Sequence, residues 1–346
     1  MKVLVTGAQG YIGLPLSKKL RDEGHDVYLI DNMNRENWVF EVGGASLTQL
    51  DYLAMNANID LTDFHAVREV LEDFQPDVIM HLASQPSGPF SELSSEHRVE
   101  TQVCNLAMLM NLLCASHDLK LSPKFIVSTT TGVPGAPDQP IVEGHTPNMA
   151  GSTYHVSRGF DSANLQLAAK QWKFRILELR TSIVFGTRLE GSVKADTRFD
   201  WDFCFGTLVH RLCLMKRMGM RGRIYGKGLQ RKPFISLRDC VRSFVNAVDY
   251  EVNGHVIMNQ TTLCLSPVEI AKQAGVEVEH IPNPRVENEE HQMVIHNEKF
   301  LKLLNKNGPV VFSTVADEAE GILQDINISF LPKNWEEVYS GVRKES

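Results

Sequence analysis

MKVLVTGAQGYIG, residues 1–13, decides the fold. Lys2 to Thr6 is a short β-branched run that stops at a glycine, the pattern of a strand buried on both faces of a parallel sheet. Beyond it Ile12, Leu16 and Leu20 recur every four residues, so the spacing predicts a helix over Tyr11 to Glu23, closed by Gly24. The glycines between strand and helix read GxxGxxG. Gly7 permits the tight turn, Gly10 lets a phosphate approach the backbone, and Gly13 lets the helix sit close to the strand. A helix N-terminus offers free N–H donors and a positive dipole end to a diphosphate. The loop Gly7, Gln9, Gly10, Tyr11, Ile12 and Gly13 is therefore the expected pyrophosphate cradle of a dinucleotide.

The next strand, Val27 to Ile30, ends at Asp31 and Asn32. A carboxylate about 20 residues past the glycines is placed to accept hydrogen bonds from the adenosine ribose hydroxyls, and it repels a 2′-phosphate. NAD is thus expected rather than NADP. Asp60 and Leu61 follow a short strand and could reach the adenine, while Leu82 and Ala83 end the strand Asp77 to His81 beside the cofactor. His81 on its own reads as a satisfied interior histidine.

Strands and helices go on alternating. Thr62 is a candidate N-cap for a helix to Phe74, and further helices are predicted over 95–117 and 152–172, with strands at Phe125 to Ser128 and Phe174 to Leu179. Such alternation implies a doubly wound parallel α/β sheet of the Rossmann kind. After Arg180 the regularity weakens. Gly186 to Asp200 shows no period, helical spacing returns near 203–218, 237–250 and 266–274, and Pro282 and Pro284 exclude a helix there. The expected organisation is an NAD-binding domain over 1–180, with late sheet elements from 225–260. A smaller α/β C-terminal substrate domain then takes 181–224 and 261–346.

Composition sets bounds. The chain has 346 residues, 43% of them hydrophobic, and a net charge of −7. That is a large core and an acidic balance, which argues against a broad nucleic-acid or anionic-membrane surface. Six spread cysteines contain no CxxC pair, and the twelve histidines show no metal-site spacing, so neither disulfide nor metal is expected. The start carries no basic, apolar leader, and no apolar run nears the ~20 residues that span a bilayer. A cytoplasmic location is the expectation.

The ordered landmarks TGAQGYIG, Asp31, Asp60-Leu61 and His81-Leu82-Ala83 resemble the extended short-chain dehydrogenases, the NAD-dependent sugar-nucleotide epimerases and dehydratases. Downstream the resemblance narrows to the UDP-sulfoquinovose synthase branch. It rests on Tyr154 to Arg158, on Arg198 to Asp202 with Phe205-Gly206-Thr207, on Ile224 to Gly228 with Gln230 and Leu237-Arg238-Asp239, and on Pro282 to Glu287 with Glu289 to His291. The resemblance implies that Tyr154 is a general base toward a sugar 4-hydroxyl while hydride leaves C4 for NAD. A phenol with an unperturbed pKa near 10 needs a nearby cation for this.

The family carries Lys four residues on; here the position is Arg158. Its charge can favour tyrosinate, yet a guanidinium fork does not replace an ammonium one for one. Three roles stay open: the lysine's job, a re-registered site, or binding without turnover. The family's Ser or Thr beside the tyrosine falls by register on Thr130, with Thr129 second. His155 is implied to lie near sugar C6. Gln230, Lys232 and Arg285 are implied for the nucleotide end of a nucleotide-sugar substrate, a UDP-hexose foremost. Pro86 and Val133 stand where the sulfoquinovose branch has an Arg and a Glu, which weakens sulfite as a reactant. The alternatives are a 4-epimerase or 4,6-dehydratase, or a non-catalytic binder of NAD and sugar nucleotide. A homodimer through the helices at 95–117 and 152–172 is also implied.

Overall fold

A computed structural model describes residues 1–135, 139–146, 151–283 and 290–341. The strands are β1 (Lys2–Thr6), β2 (Asp26–Ile30), β3 (Val78–His81), β4 (Lys124–Thr130), β5 (Arg175–Thr181), β6 (Ile183–Phe185), β7 (Gly222–Tyr225), β8 (Lys232–Ser236), β9 (His255–Gln260), β10 (Leu263–Leu265) and β11 (Val278–Ile281). Six of them form one parallel sheet in the order β2-β1-β3-β4-β5-β9. The chain leaves β1 toward β2 on one side and returns to β3 on the other. That reversal opens a crevice at the carboxyl ends of β1 and β3, where ligands of such sheets bind.

Alternation along each strand explains the layers. Val3 and Val5 join Leu16, Leu20, Phe244 and Phe300 on one face, so α1 (Gly13–Asp22), α8 (Leu237–Ala247) and α10 (Glu298–Leu304) pack there. Leu4 between them points to the opposite core, with Leu71, Leu109, Leu112 and Leu165. That core belongs to α3 (Phe64–Phe74), α5 (Ser95–Asp118) and α6 (Thr153–Gln171). The doubly wound parallel sheet is the fold expected from the sequence.

The second half builds a three-stranded sheet, β10-β8-β6, and a two-stranded one, β11-β7. Helices α7 (Leu208–Arg217), α9 (Pro267–Ala274), α11 (Val315–Asp325) and α12 (Trp335–Ser340) close over these around Phe185, Phe234, Trp201 and Ile322. Residues 203–206 form a turn rather than the first turn of a helix, because Asp202 accepts the N–H groups of Cys204 and Phe205 at 2.9 and 2.8 Å. The cap of α3 also differs from expectation. Asp63 accepts from His65 and Ala66, while Thr62 turns its hydroxyl to Asp60 at 2.9 Å. Two short helices carry no readable period, α2 (Asn34–Glu41) and α4 (Gly88–Ser91). No helix among the described residues is long and apolar enough to cross a membrane.

Candidate active site

The crevice widens into one cleft of about 1830 Å³. A single small ligand usually takes ~300–1,000 Å³, so there is room for two. Of the expected cofactor residues, Gly7, Gly10, Tyr11, Ile12, Gly13, Asp31, Asn32, Asp60, Leu61, Leu82, Ala83 and Tyr154 line it. Thr130, His155, Gln230 and Lys232 line it too, and Gln9 and Arg158 do not. Arg285 lies outside the described residues.

The loop after β1 fits a dinucleotide phosphate by shape. A Cβ on Gly13 would lie 2.0 Å from the carbonyl oxygen of Gly7, so only glycine lets α1 meet the strand end. Gly7 adopts φ +69°, and a Cβ there would strike the Ala83 backbone at 2.7 Å. Asp31 closes the far edge, accepting from Gln9 N at 2.9 Å and from Met33 N at 2.8 Å. Burial raises its carboxyl's pKa, against these backbone donors and the charge of Arg198. Gln9 therefore serves through its backbone, and its side chain bonds Leu53 instead, at 2.5 Å to the carbonyl. Tyr11 also looks away from the phosphate region: its hydroxyl donates to Gly186 O at 2.6 Å. The same ring meets His210 edge-on at 5.5 Å, so this loop is tied to the second half of the chain.

At the other side of the crevice, β4 carries Thr129 and Thr130 to opposite faces. Thr129 donates inward to Glu178 at 2.8 Å. Thr130 lines the cleft with Tyr154 and accepts from Gly132 N at 3.1 Å. Both threonines border the cleft, and Thr129 is the one whose hydroxyl is engaged by the buried Glu178 carboxylate on β5. Its oxygens also receive Ser162 Oγ at 2.8 Å, His255 Nε2 at 2.9 Å and Arg180 Nε at 3.2 Å. Burial alone would raise this acid, but these donors and the Arg180 charge hold it down at about 2.

Tyr154 stands in the first turn of α6, and three oxygens fix that turn. Thr153 N donates to Glu92 at 2.7 Å, Tyr154 N to Ser91 Oγ at 3.2 Å, and His155 N to Ser152 Oγ at 3.4 Å. Burial raises the phenol's pKa; Arg158 and Thr130 lower it, and Asp161 raises it. His155 is the neighbour, its ring centroid 5.0 Å from that of Tyr154. Its Nδ1 lies 2.7 Å from Ser152 Oγ, and its ring fills the space above Gly132, where a Cβ would come within 2.2 Å. Burial, with the charge of Lys232, brings this imidazole down to about 4, so it is neutral at pH 7.

Arg158 departs most from expectation. Its guanidinium donates to Ser128 O and lies 2.8 Å from Asp161 Oδ2, 1% exposed in the wall behind the cleft. Arg158 is thus not among the described residues that line the cleft. His81 lies in the same interior, with Nδ1 2.9 Å from Thr6 Oγ1, and burial and then Arg158 push it down to about 3.

Sequence reasoning missed the wall between these halves. Arg35 and Trp38 on α2, Ser87 and Gly88 at α4, and Phe205 all border the cleft. Arg35 stacks on Phe205 at 3.8 Å and pairs with Asp200 at 2.8 Å. Its position four residues after Asp31 was the available signal, but no period marks α2.

The comparisons agree with this geometry. Residues 3–259 match the family model described as the NAD dependent epimerase/dehydratase family. The UDP-sulfoquinovose synthase of Sulfolobus acidocaldarius is 30% identical, over 84% of this chain and 84% of that protein. The chloroplastic UDP-sulfoquinovose synthase of Spinacia oleracea is 29% identical, over 87% of this chain and 70% of that protein. Among solved structures, the UDP-glucuronic acid 4-epimerase of Bacillus cereus, in complex with UDP-glucuronic acid and NAD, shares the fold with a TM-score of 0.72 at 23% identity. The match covers 94% of this chain and 98% of that one. A parallel sheet with a glycine cradle, Asp31 at its edge and Tyr154 across the crevice, matched by that model over most of its length, makes this chain an NAD-dependent enzyme of the epimerase/dehydratase family.

Proposed function

We propose that the enzyme remodels a nucleoside-diphosphate hexose, UDP-linked foremost, through a transient 4-keto sugar. The observation that carries this is that Tyr154 and Thr130 line the same cleft as the Gly7–Gly13 cradle. Thr130 holds the phenol and the sugar 4-oxygen together, and Tyr154 takes the 4-hydroxyl proton. NAD, when bound, supplies the acceptor for the C4 hydride. The ketone then acidifies C5–H, and the neutral His155 ring beside Tyr154 borders the C5/C6 end of the sugar. Gln230 and Lys232, with Arg285, serve the nucleotide end. The sulfoquinovose-synthase relatives support C5/C6 chemistry over plain 4-epimerisation. Pro86 on the cleft wall and Val133, 1% exposed, replace the branch's Arg and Glu and speak against sulfite as the reactant.

Mass spectrometry of the holoenzyme incubated in D2O with a panel of nucleotide hexoses, with and without sulfite, tests the reading. Deuterium at C5 with a changed product mass is expected. Turnover with C5 unlabelled would reassign the enzyme as a 4-epimerase. A Tyr154→Phe variant with full turnover would overturn the mechanism.

The same reading extends to assembly. Helices α5 and α6 carry exposed Val99, Val103, Phe160 and Leu167 opposite their core faces. A helix apolar on two sides is built for two contacts, and a second copy of this chain is the proposed cover.

A further inference from the structure

Tyr154, Arg158 and Asp161 occupy positions i, i+4 and i+7 of α6 and so share one face of the helix. The Arg158 guanidinium reaches Ser128 O on β4 with one nitrogen and lies 2.8 Å from Asp161 Oδ2 with another. The second contact is close without the alignment of a hydrogen bond. Among the described residues neither Asp161 oxygen accepts one, although the side chain is 0% exposed. A buried carboxylate with no donors is costly. Among the described residues, the charge of Arg158 is what favours its ionised form. The other groups facing the pair are His81 on β3, neutral in its setting, and Glu178 on β5, whose negative charge acts on Asp161 in the opposite sense to Arg158.

We propose that Asp161 is a positioning residue that holds the Arg158 guanidinium in the wall behind the cleft and offsets its charge, thereby setting the field in which Tyr154 ionises. The inference rests on Tyr154 being the base. Two opposite charges a few ångströms apart act on the phenol together: the cation favours the phenolate and the anion opposes it. The directions found for Tyr154 agree, Arg158 lowering its pKa and Asp161 raising it. Burial lifts the Asp161 carboxyl itself. It is nonetheless fully ionised in the alkaline range where a phenol titrates, so there the offset is complete. An Arg at this position thus needs its partner: free in the cleft the guanidinium would crowd the cofactor side, and pinned without an anion it would over-stabilise the phenolate.

The test is a pH titration of Tyr154 itself, which needs no substrate. The NAD-loaded enzyme is labelled with 3-fluorotyrosine, whose fluorine brings the phenol's titration into an accessible range. Its Tyr154 signal in 19F NMR is assigned by its loss in Tyr154→Phe. Asp161→Asn is expected to move the midpoint down by about 1 pH unit. Asp161→Glu is expected to stay near the parent value. Asp161→Ser replaces the Asn variant if thermal melting shows that one unfolded. An unchanged or raised midpoint in the folded neutral variant overturns the proposal. Because the readout is ionisation and not turnover, a lowered midpoint in an enzyme inactive on every nucleotide hexose would uphold the pair and sink the proposed function alone. An unchanged midpoint in an active enzyme would do the reverse.

Discussion

Replacing Glu178 by Gln tests how the catalytic strand end is held. The carboxylate is 0% exposed and gathers Thr129, Ser162, Arg180 and His255 within 3.2 Å. Its pKa falls from the ordinary carboxyl value near 4.5 to about 2 on folding. That difference corresponds to about 3 kcal/mol of stability at pH 7. The sign follows from the depressed value. The contribution is fully present above the unfolded pKa near 4.5 and disappears as pH falls through the folded value near 2. By pH 3 more than half is gone, with about 1.4 kcal/mol left. Glutamine keeps the shape, removes the charge facing Arg180, and turns an N–H₂ toward groups that donate.

The assay is thermal melting of parent and Glu178→Gln at pH 7 and pH 3. At ~2.1 cal/mol/K per residue, 3 kcal/mol displaces the midpoint by about 4 °C in a chain of 346 residues. The variant should melt about 4 °C lower at pH 7, and the gap should shrink by more than half at pH 3. A gap of equal size at both pH values would refute the reasoning, since it would mean the loss is one of packing and not of a pH-linked charge. Activity should fall as well, because Thr129 released from Glu178 no longer fixes the side that Thr130 presents.

Four further outcomes follow from the geometry. Tyr154→Phe should lower turnover by about 10²–10⁴ while leaving NAD affinity unchanged by fluorescence titration, and Thr130→Val should cost about tenfold, the worth of one hydrogen bond to the phenol. Gly13→Ala should abolish NAD binding and destabilise the fold by at least ~1–3 kcal/mol in urea melts, because its Cβ would sit 2.0 Å from a backbone oxygen that cannot withdraw. Phe160→Glu, at a ring 48% exposed on α6, should convert a dimer to a monomer in light scattering and leave the melting of the isolated chain unchanged.

What could be read in the sequence follows from what each signal encodes. β1, α1 and the glycines were legible because period and backbone sterics are local: Ile12 at the N-cap and Leu16 and Leu20 within α1 recur every four residues, and Gly13 is forced by an oxygen six residues away. That the six strands form a parallel sheet with helices on both faces followed from their alternation with helices, whereas their order β2-β1-β3-β4-β5-β9 is a matter of tertiary pairing. The second half was not legible to the same depth. Its β6, β8 and β10 are three to five residues long, too short to show a period, and they find partners only through the tertiary fold. Thr62 lost the cap of α3 to Asp63 because Asp60 offered its hydroxyl a partner, a choice that adjacent residue types leave open.

Arg158 shows the limit most plainly. Spacing from Tyr154 fixes the helix face on which a cation sits, and the sequence carries it correctly to that face. It does not fix where along that face the charge ends. A lysine has one nitrogen and must choose between the cleft and the wall, whereas a guanidinium can bridge Ser128 O and Asp161 and so be drawn inward. Asp161 itself lies three residues on and would pass in any reading as one more helix-surface acid, yet it is 0% exposed. On the proposed reading, the setting of Tyr154 thus has two parts: its neighbours in the cleft, Thr130 and His155, and a buried carboxylate that acts through Arg158.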